Sequence, residues 1–390
     1  MKTGRKLFPL LLCLFLTTGC WDQKVIQNMV YLTAIGIDYT DGQYVFYTQT
    51  VDLARVAKQE TQADEREAPA VIAVGRGDTP QSAIDNLIKN AQIPTFTGFV
   101  SSLIFHERIL EKGILPVYDI LNRSGLLRYT KWVFGTHDKL EEVLSVQPVL
   151  GFSPESTLLH QPVDVYKQRS FIQPIRFHEF ISEYWEPANT ILLPSITVVK
   201  NKWKMDSQFI TRLSLNGVFA IHHGKLNGFF PEDELLGLRW LTPRTQSAGI
   251  VIRKNGKSVA TVRLQRPDVV IRPKKTKGPV RFDISIRVKG YIRELMEDNP
   301  SSFIRKESEK EIERQIRGAF EKSLRSGVDL LRLEYVLFRE DYQRWKQMPK
   351  SQAFPFQANA LAKVEVNVDL ADSGKMKLDW YDYPWLIEQN

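Results

Sequence analysis

Beyond residue 20 the chain has no cysteine: Cys13 and Cys20 are the two in 390 residues. Structural disulfides, cysteine-based zinc sites and thiol nucleophiles are therefore excluded from everything that follows. Long hydrophobic runs are also missing. No later stretch reaches the roughly 18 consecutive apolar residues of a membrane-spanning helix. No H-E-x-x-H occurs, and none of the six histidines pairs with another at i, i+4. Without G-x-S-x-G there is no nucleophile elbow. No repeat of solenoid period is present. What remains is ordinary in bulk, with 43% hydrophobic and 25% charged residues, which excludes a disordered chain, a collagen or a coiled-coil rod. The length fits roughly two to three domains.

The N-terminus carries the clearest signal. Lys2, Arg5 and Lys6 precede an apolar core, Leu7 to Leu16, that is too short to span a bilayer and fits the central region of an export signal. Thr17-Thr18-Gly19-Cys20 follows and resembles a bacterial lipobox. In that chemistry the Cys20 thiol takes a diacylglycerol, cleavage falls after Gly19, and Cys20 becomes the first residue. Two or three acyl chains on one residue anchor firmly, whereas one holds only marginally. Loss of three signal charges lowers the formal +8 to +5, a mild excess suited to anionic headgroups and too scattered for a nucleic acid.

The body reads as α+β, with antiparallel hairpins and flanking helices. Asp41-Gly42 and Asn255-Gly256 separate β-rich runs, the pattern of two-residue hairpin turns. A strand at 71–74 turns through Gly75-Arg76-Gly77 into a helix with Thr79 as N-cap and Pro80 at its first position. Asp138 reads as the cap of a short helix, 192–200 as a strand ending in a Lys200-Asn201-Lys202 turn, and 232–241 as a short helix. His223-Gly224 reads as a hairpin tip, where adjacent histidines would point to opposite faces as exposed turn residues. Ile304, Ile312, Ile316, Phe320 and Leu324 form the stripe of the longest helix, which Gly327 ends. A second helix is expected over 330–348. These readings divide the chain into a signal at 1–19, an N-terminal region at 20–208 that two subdomains could share, and a C-terminal domain at 209–390.

Few groups invite chemistry. Gly75-x-Gly77 lacks the third glycine and the acidic partner of a dinucleotide fingerprint. Arg76-Gly77-Asp78 serves a strand-to-helix turn. Glu141-Glu142 and Glu232-Asp233-Glu234 are neighbours within one turn, not carboxylates converging from separate elements. Arg272, Lys274, Lys275 and Lys277 form the one dense basic run, a connector that offers contact to anionic lipid or an acidic partner loop. No residue is assigned a catalytic, cofactor-binding or metal-binding role.

Several segments, in order, resemble the C-subunit lipoproteins of nutrient germinant receptors from endospore-forming bacteria, the Ger(x)C family. They are Gly19-Cys20-Trp21-Asp22, Ala34-Ile35-Gly36-Ile37-Asp38, and Gly77-Asp78-Thr79-Pro80-Gln81-Ser82-Ala83. Arg108–Gly113 with Leu121-Asn122-Arg123 follows, then Leu215-Asn216-Gly217-Val218-Phe219-Ala220 with Lys225-Leu226-Asn227-Gly228, and Gly327-Val328-Asp329 with Trp345. The chain departs from that family at Thr17, where leucine is usual, and at Arg332-Leu333-Glu334, where a glycine-containing stretch is more common. The resemblance implies about three small α+β domains in an elongated arrangement. It also implies a non-enzymatic subunit lipid-anchored on the extracytoplasmic face of the spore inner membrane, beside an A subunit and a polytopic B subunit. The alternative is an extracytoplasmic solute-binding lipoprotein, with Trp185, Trp203 and Trp240 lining a pocket by stacking.

Overall fold

The computed structural model describes residues 29–50, 70–125, 128–146, 148, 156–276, 278–297, 299–348 and 354–371. Cys20, Gly19, Lys277 and the charged segment 54–68 lie outside the described residues. β1 (Val30–Thr40) and β2 (Gln43–Thr50) form the expected hairpin, with Asp41 at φ 54° and Gly42 at φ 78° supplying the turn. β3 (Val71–Gly77) pairs antiparallel with β2, so the anticipated Gly75-Arg76-Gly77 turn is instead the end of a strand. α1 (Pro80–Lys89) starts as expected: the Thr79 hydroxyl accepts from Ser82 N–H at 3.1 Å and Ser82 Oγ accepts from Thr79 N–H at 3.0 Å. The two glycines let this helix lie directly on the strand. A Cβ on Gly75 would fall 2.2 Å from Ala83 O, and one on Gly77 2.2 Å from Ser82 Oγ.

The chain continues through β4 (Thr95–Phe96), β5 (Ser102–His106), α2 (Glu107–Lys112), α3 (Leu115–Arg123) and β6 (Trp132–Thr136). α4 (Leu140–Ser145), α5 (Pro162–Gln168), β7 (Ile175–Arg176) and α6 (Phe177–Trp185) follow, then β8 (Thr190–Met205), β9 (Gln208–His222) and β10 (Lys225–Pro231). They build one mixed sheet in the order β10-β9-β8-β6-β5-β1-β2-β3, with β4 on β1 and β7 on β6. Both flanks are antiparallel, while β1, β5, β6 and β8 run parallel, because helical crossovers join them. β5 and β6 are buried along their whole length, polar Ser102, His106 and Thr136 included, as central strands covered on both faces are. One face packs under α1, α2, α3 and α6, the other under α4 and residues 158–159.

Asp138 does not cap α4. Its carboxylate accepts instead from Thr197 Oγ1 at 2.8 Å and Val198 N–H at 2.7 Å, tying the loop to β8. The Lys200-Asn201-Lys202 turn is also absent: β8 runs on to Met205 through a register shift, with Asn201 at φ 68°. β8 and β9 thus form one long ribbon that turns at 206–207, so the 208/209 division falls within β9 and both arms belong to the same sheet.

A second sheet contains β11 (Ala248–Lys254), β12 (Lys257–Pro273), β13 (Phe282–Leu295) and β14 (Leu361–Ala371). Asn255 at φ 52° and Gly256 at φ 81° make the expected hairpin turn. α7 (Ser301–Ser326) crosses between β13 and its parallel neighbour β14, burying Ile304, Ile312, Ile316 and Phe320 and ending at Gly327 in the left-handed region, φ 70°. The expected 330–348 helix is two, α8 (Leu333–Glu340) and α9 (Tyr342–Lys346). Asp341 leaves helical geometry at φ −147° and its carboxylate accepts from Arg344 N–H at 3.2 Å, so it ends one helix and caps the next. Residues 232–241 form two 3₁₀ turns around Gly237, where a Cβ would meet Gln315 O at 2.3 Å. The second core takes in Val218, Ala220 and Phe230 from β9 and β10, so the two sheets share one apolar cluster.

Candidate functional site

Where the shared core opens to solvent, a cleft of about 310 Å³ separates α6 from the segments before β11 and before α8. Its floor is aliphatic, formed by Leu192, Val218, Leu235, Leu238, Leu241 and Ile172. Its rim is charged. α6 carries Glu179 and Glu183 one turn apart, so both project to one side. Glu183 Oε1 and Oε2 accept from Arg332 Nη1 and Nη2 at 3.1 and 3.0 Å, a bidentate pair. Glu179 Oε1 accepts from Arg244 Nη1 at 2.9 Å, and Oε2 caps its own helix from Arg176 N–H at 2.9 Å. Burial works against the charged Glu179, yet these hydrogen bonds and the Arg244 charge bring its pKa below the usual glutamate value.

Behind Arg332 lies a polar cluster that single-residue reading did not find. Asp329 is fully buried and accepts from Glu334 N–H at 2.7 Å. Burial raises its pKa to about 7, opposed by the N–H groups of Leu333 and Glu334 at the start of α8. Glu334 accepts from Trp345 Nε1 at 2.9 Å and lies 3.8 Å from His222 Nε2. Arg332 itself sits at φ 56°, a left-handed conformation that glycine adopts without strain. The partners are 149 residues apart along the chain. Three sequence signals fall on this spot: the departure at Arg332-Leu333-Glu334, the Gly327-Val328-Asp329 and Trp345 segments, and His222.

The sequence-singled residues are dispersed. Arg272 pairs opposite Asp283 in the β12–β13 ladder, and Lys274 Nζ lies 3.4 Å from the Asp283 carboxylate. Arg344 donates to Lys274 O and Gly278 O at 2.8 Å each, so the basic turn is pinned from α9, with Lys275 exposed. His222 and His223 do not point apart. Their rings stack at 4.0 Å, and His222 is largely buried beside Glu334 and Asn189 O. His223 takes φ 49°, which bends the strand alternation at this turn. The three tryptophans do not form a pocket: Trp240 is fully buried and donates to Gln315 Oε1 at 2.8 Å, while Trp185 and Trp203 are exposed on α6 and the outer end of β8.

Other contacts with a chemical look are spent internally. Asp38 binds the Arg108 guanidinium and Tyr39 N–H, with His106 Nδ1 at 3.5 Å. Burial, only partly offset by Asp38, lowers the His106 pKa. Ser101 Oγ contacts His160 Nδ1, but the other ring nitrogen has no partner among the described residues, and burial lowers the pKa to about 4. Among the described residues no carboxylate orients that imidazole. Among the described residues no group of three acidic, histidine or cysteine side chains could hold a metal, and no helix is long and apolar enough to cross a membrane.

Two family models match this chain. One, described as the spore germination protein N-terminal domain, covers residues 22–198. The other, described as spore germination B3/GerAC-like, C-terminal, covers residues 216–374. Among curated proteins, the putative spore germination protein YfkR of Bacillus subtilis (strain 168) is 23% identical over 292 residues, 73% of each chain. Spore germination protein KC of the same strain is 23% identical over 363 residues, covering 87% of this chain and 88% of that one. The crystal structure of the GerBC protein superposes with a TM-score of 0.51 at 16% identity, covering 87% of this chain and 97% of that one. That likeness supports the α+β fold.

Proposed function

The chain belongs to the family of spore germination GerAC-like proteins, and from that membership we propose that it is the lipid-anchored, non-catalytic subunit of a nutrient germinant receptor. In this reading Cys20 is acylated after cleavage behind Gly19, and the body sits on the extracytoplasmic face of the spore inner membrane. An A and a B membrane subunit are its partners. The observation that carries the proposal is the place where family similarity begins. The N-terminal family model starts at residue 22, directly after the Gly19-Cys20 junction, and leaves the charged and apolar leader outside it. The mutual pairing of the polar groups around the cleft supports a scaffolding role, since Arg332, Arg244, Glu179 and Glu183 hold one another. The basic residues Arg272, Lys274, Lys275 and Lys277 are proposed as contacts to headgroups or to an acidic partner loop.

The test is Cys20→Ala in sporulating cells. The variant is expected in the soluble fraction, with nutrient-triggered germination impaired and nutrient-independent germination intact. A normal nutrient response from spores whose mutant protein is fully soluble contradicts the proposal.

A further inference from the structure

The described chain begins against a surface that is unusual for an exposed end of a sheet. Val30 N–H donates to Pro94 O at 3.0 Å, and Val30 and Tyr31 pair with Thr95 and Phe96. Tyr31, Phe96 and Phe99 pack edge to face on one another, with ring centroids 5.2 to 5.9 Å apart. Phe96 and Phe99 are 40% and 47% exposed, and Ile93 beside them is 47% exposed. Gly98 makes room for this display, since a Cβ there would come within 2.4 Å of the Phe96 ring. Between Asn86 and His106 the chain has no carboxylate, and Lys89 carries the one formal charge.

We infer that Tyr31, Ile93, Phe96 and Phe99 form a membrane-seating patch that dips into the headgroup layer of the bilayer to which the chain is tethered. The inference rests on the proposed acylation of Cys20 and goes beyond it by fixing which end of the body meets the lipid. Nine residues lie between Cys20 and Val30, ten chain steps with a reach of at most about 35 Å. This end of β1 therefore lies within about 35 Å of the anchored residue whatever path those residues take, closer along the chain than any other described part of the body. An aromatic cluster whose segment 87–105 carries no carboxylate is chemistry that the interface favours, because the rings bury apolar surface. The rest of the sheet gives the orientation. β1, β5, β6 and β8 are parallel, so their starts share the tethered end. The tip of the β8–β9 ribbon, with exposed Trp203, Met205 and Phe209, lies at the opposite end and faces away from the lipid.

The lack of thiols in the body makes the test direct. In the full acylated chain, reconstituted in vesicles of phosphatidylglycerol and phosphatidylethanolamine, a cysteine is placed by Phe99→Cys, by Ile93→Cys or, at the ribbon, by Phe209→Cys, and spin-labelled. Labels at 99 and 93 are expected to collide several-fold more with oxygen and several-fold less with an aqueous nickel chelate than the label at 209. Equal exposure of all three to the chelate, in a chain that stays with the vesicles, overturns the patch and leaves the anchor standing. Labels at 93 and 99 shielded from both reagents mean that protein covers the patch, which also overturns it. A chain that does not stay with the vesicles refutes the anchor, and the patch with it.

Discussion

Arg332 joins two opposing effects at one residue, and substitution separates them. Its guanidinium makes the bidentate pair with Glu183, and the two side chains are 32% and 26% exposed. That places the pair between a surface bridge, worth at most about 1 kcal/mol, and a buried one, whose breakage costs about 3–5 kcal/mol. Loss of the pair is therefore set at about 1–2 kcal/mol. The backbone at φ 56° costs a non-glycine residue roughly 1 kcal/mol relative to glycine. Arg332→Ala loses the pair and keeps the strain, so it should destabilise by about 1–2 kcal/mol. Arg332→Gly loses the same pair and sheds the strain, so it should be about 1 kcal/mol more stable than Arg332→Ala. Urea unfolding monitored by tryptophan fluorescence reads both. A double-mutant cycle with Glu183→Gln should return a coupling of about 1 kcal/mol that shrinks with added salt. Equal stability of the alanine and glycine variants refutes the strain argument. Strict additivity in the cycle refutes the ion pair as a tie across the cleft.

Gly75→Ala should destabilise by about 3 kcal/mol or more, because the new methyl meets the Ala83 carbonyl and Leu87 backbone N at 2.2 and 2.7 Å. A shift of the urea midpoint no larger than that of an exposed Gly→Ala control contradicts it. The raised pKa of Asp329 means that the folded state binds this proton more tightly than the unfolded chain. Its contribution is full below about pH 4, is lost as pH rises to about 7, and is flat above. Asp329→Asn should remove that slope, so the wild-type chain loses more stability than the variant between about pH 5 and pH 7.5. Parallel pH profiles in urea titrations count against it.

What could be read from the sequence was local. Asp41-Gly42 and Asn255-Gly256 fix their turns by positive φ, Thr79-Pro80 starts its helix by capping, and Gly327 ends α7. Three of the differences share a cause, namely that distant partners override local preference, whereas the split at Asp341 and the stacked His222-His223 pair are set by local backbone geometry. Asp138 had a nearby helix to cap but meets β8. Lys200-Asn201-Lys202 has turn composition, yet β9 pairs across it and turns it into an irregular stretch of strand. Gly75 and Gly77 mark close helix packing, because α1 returns onto β3. Parallel pairing at the centre of the first sheet, and the contact of Arg332 with Glu183, depend on crossovers that no short window contains. The proposed lipobox at Thr17-Thr18-Gly19-Cys20 lies outside the described residues, and its meaning is chemical and sequential, independent of folding.

The central claim is that this chain works as the anchored subunit of a receptor, and isolation from spore membranes tests it most directly. The affinity-tagged protein, solubilised from the inner membrane with mild detergent, should bring down one A-type and one polytopic B-type germination protein, identified by mass. It should also carry an N-terminal Cys20 with diacylglycerol mass. Recovery of the chain alone, with an unmodified Cys20 and the leader still attached, would contradict the account.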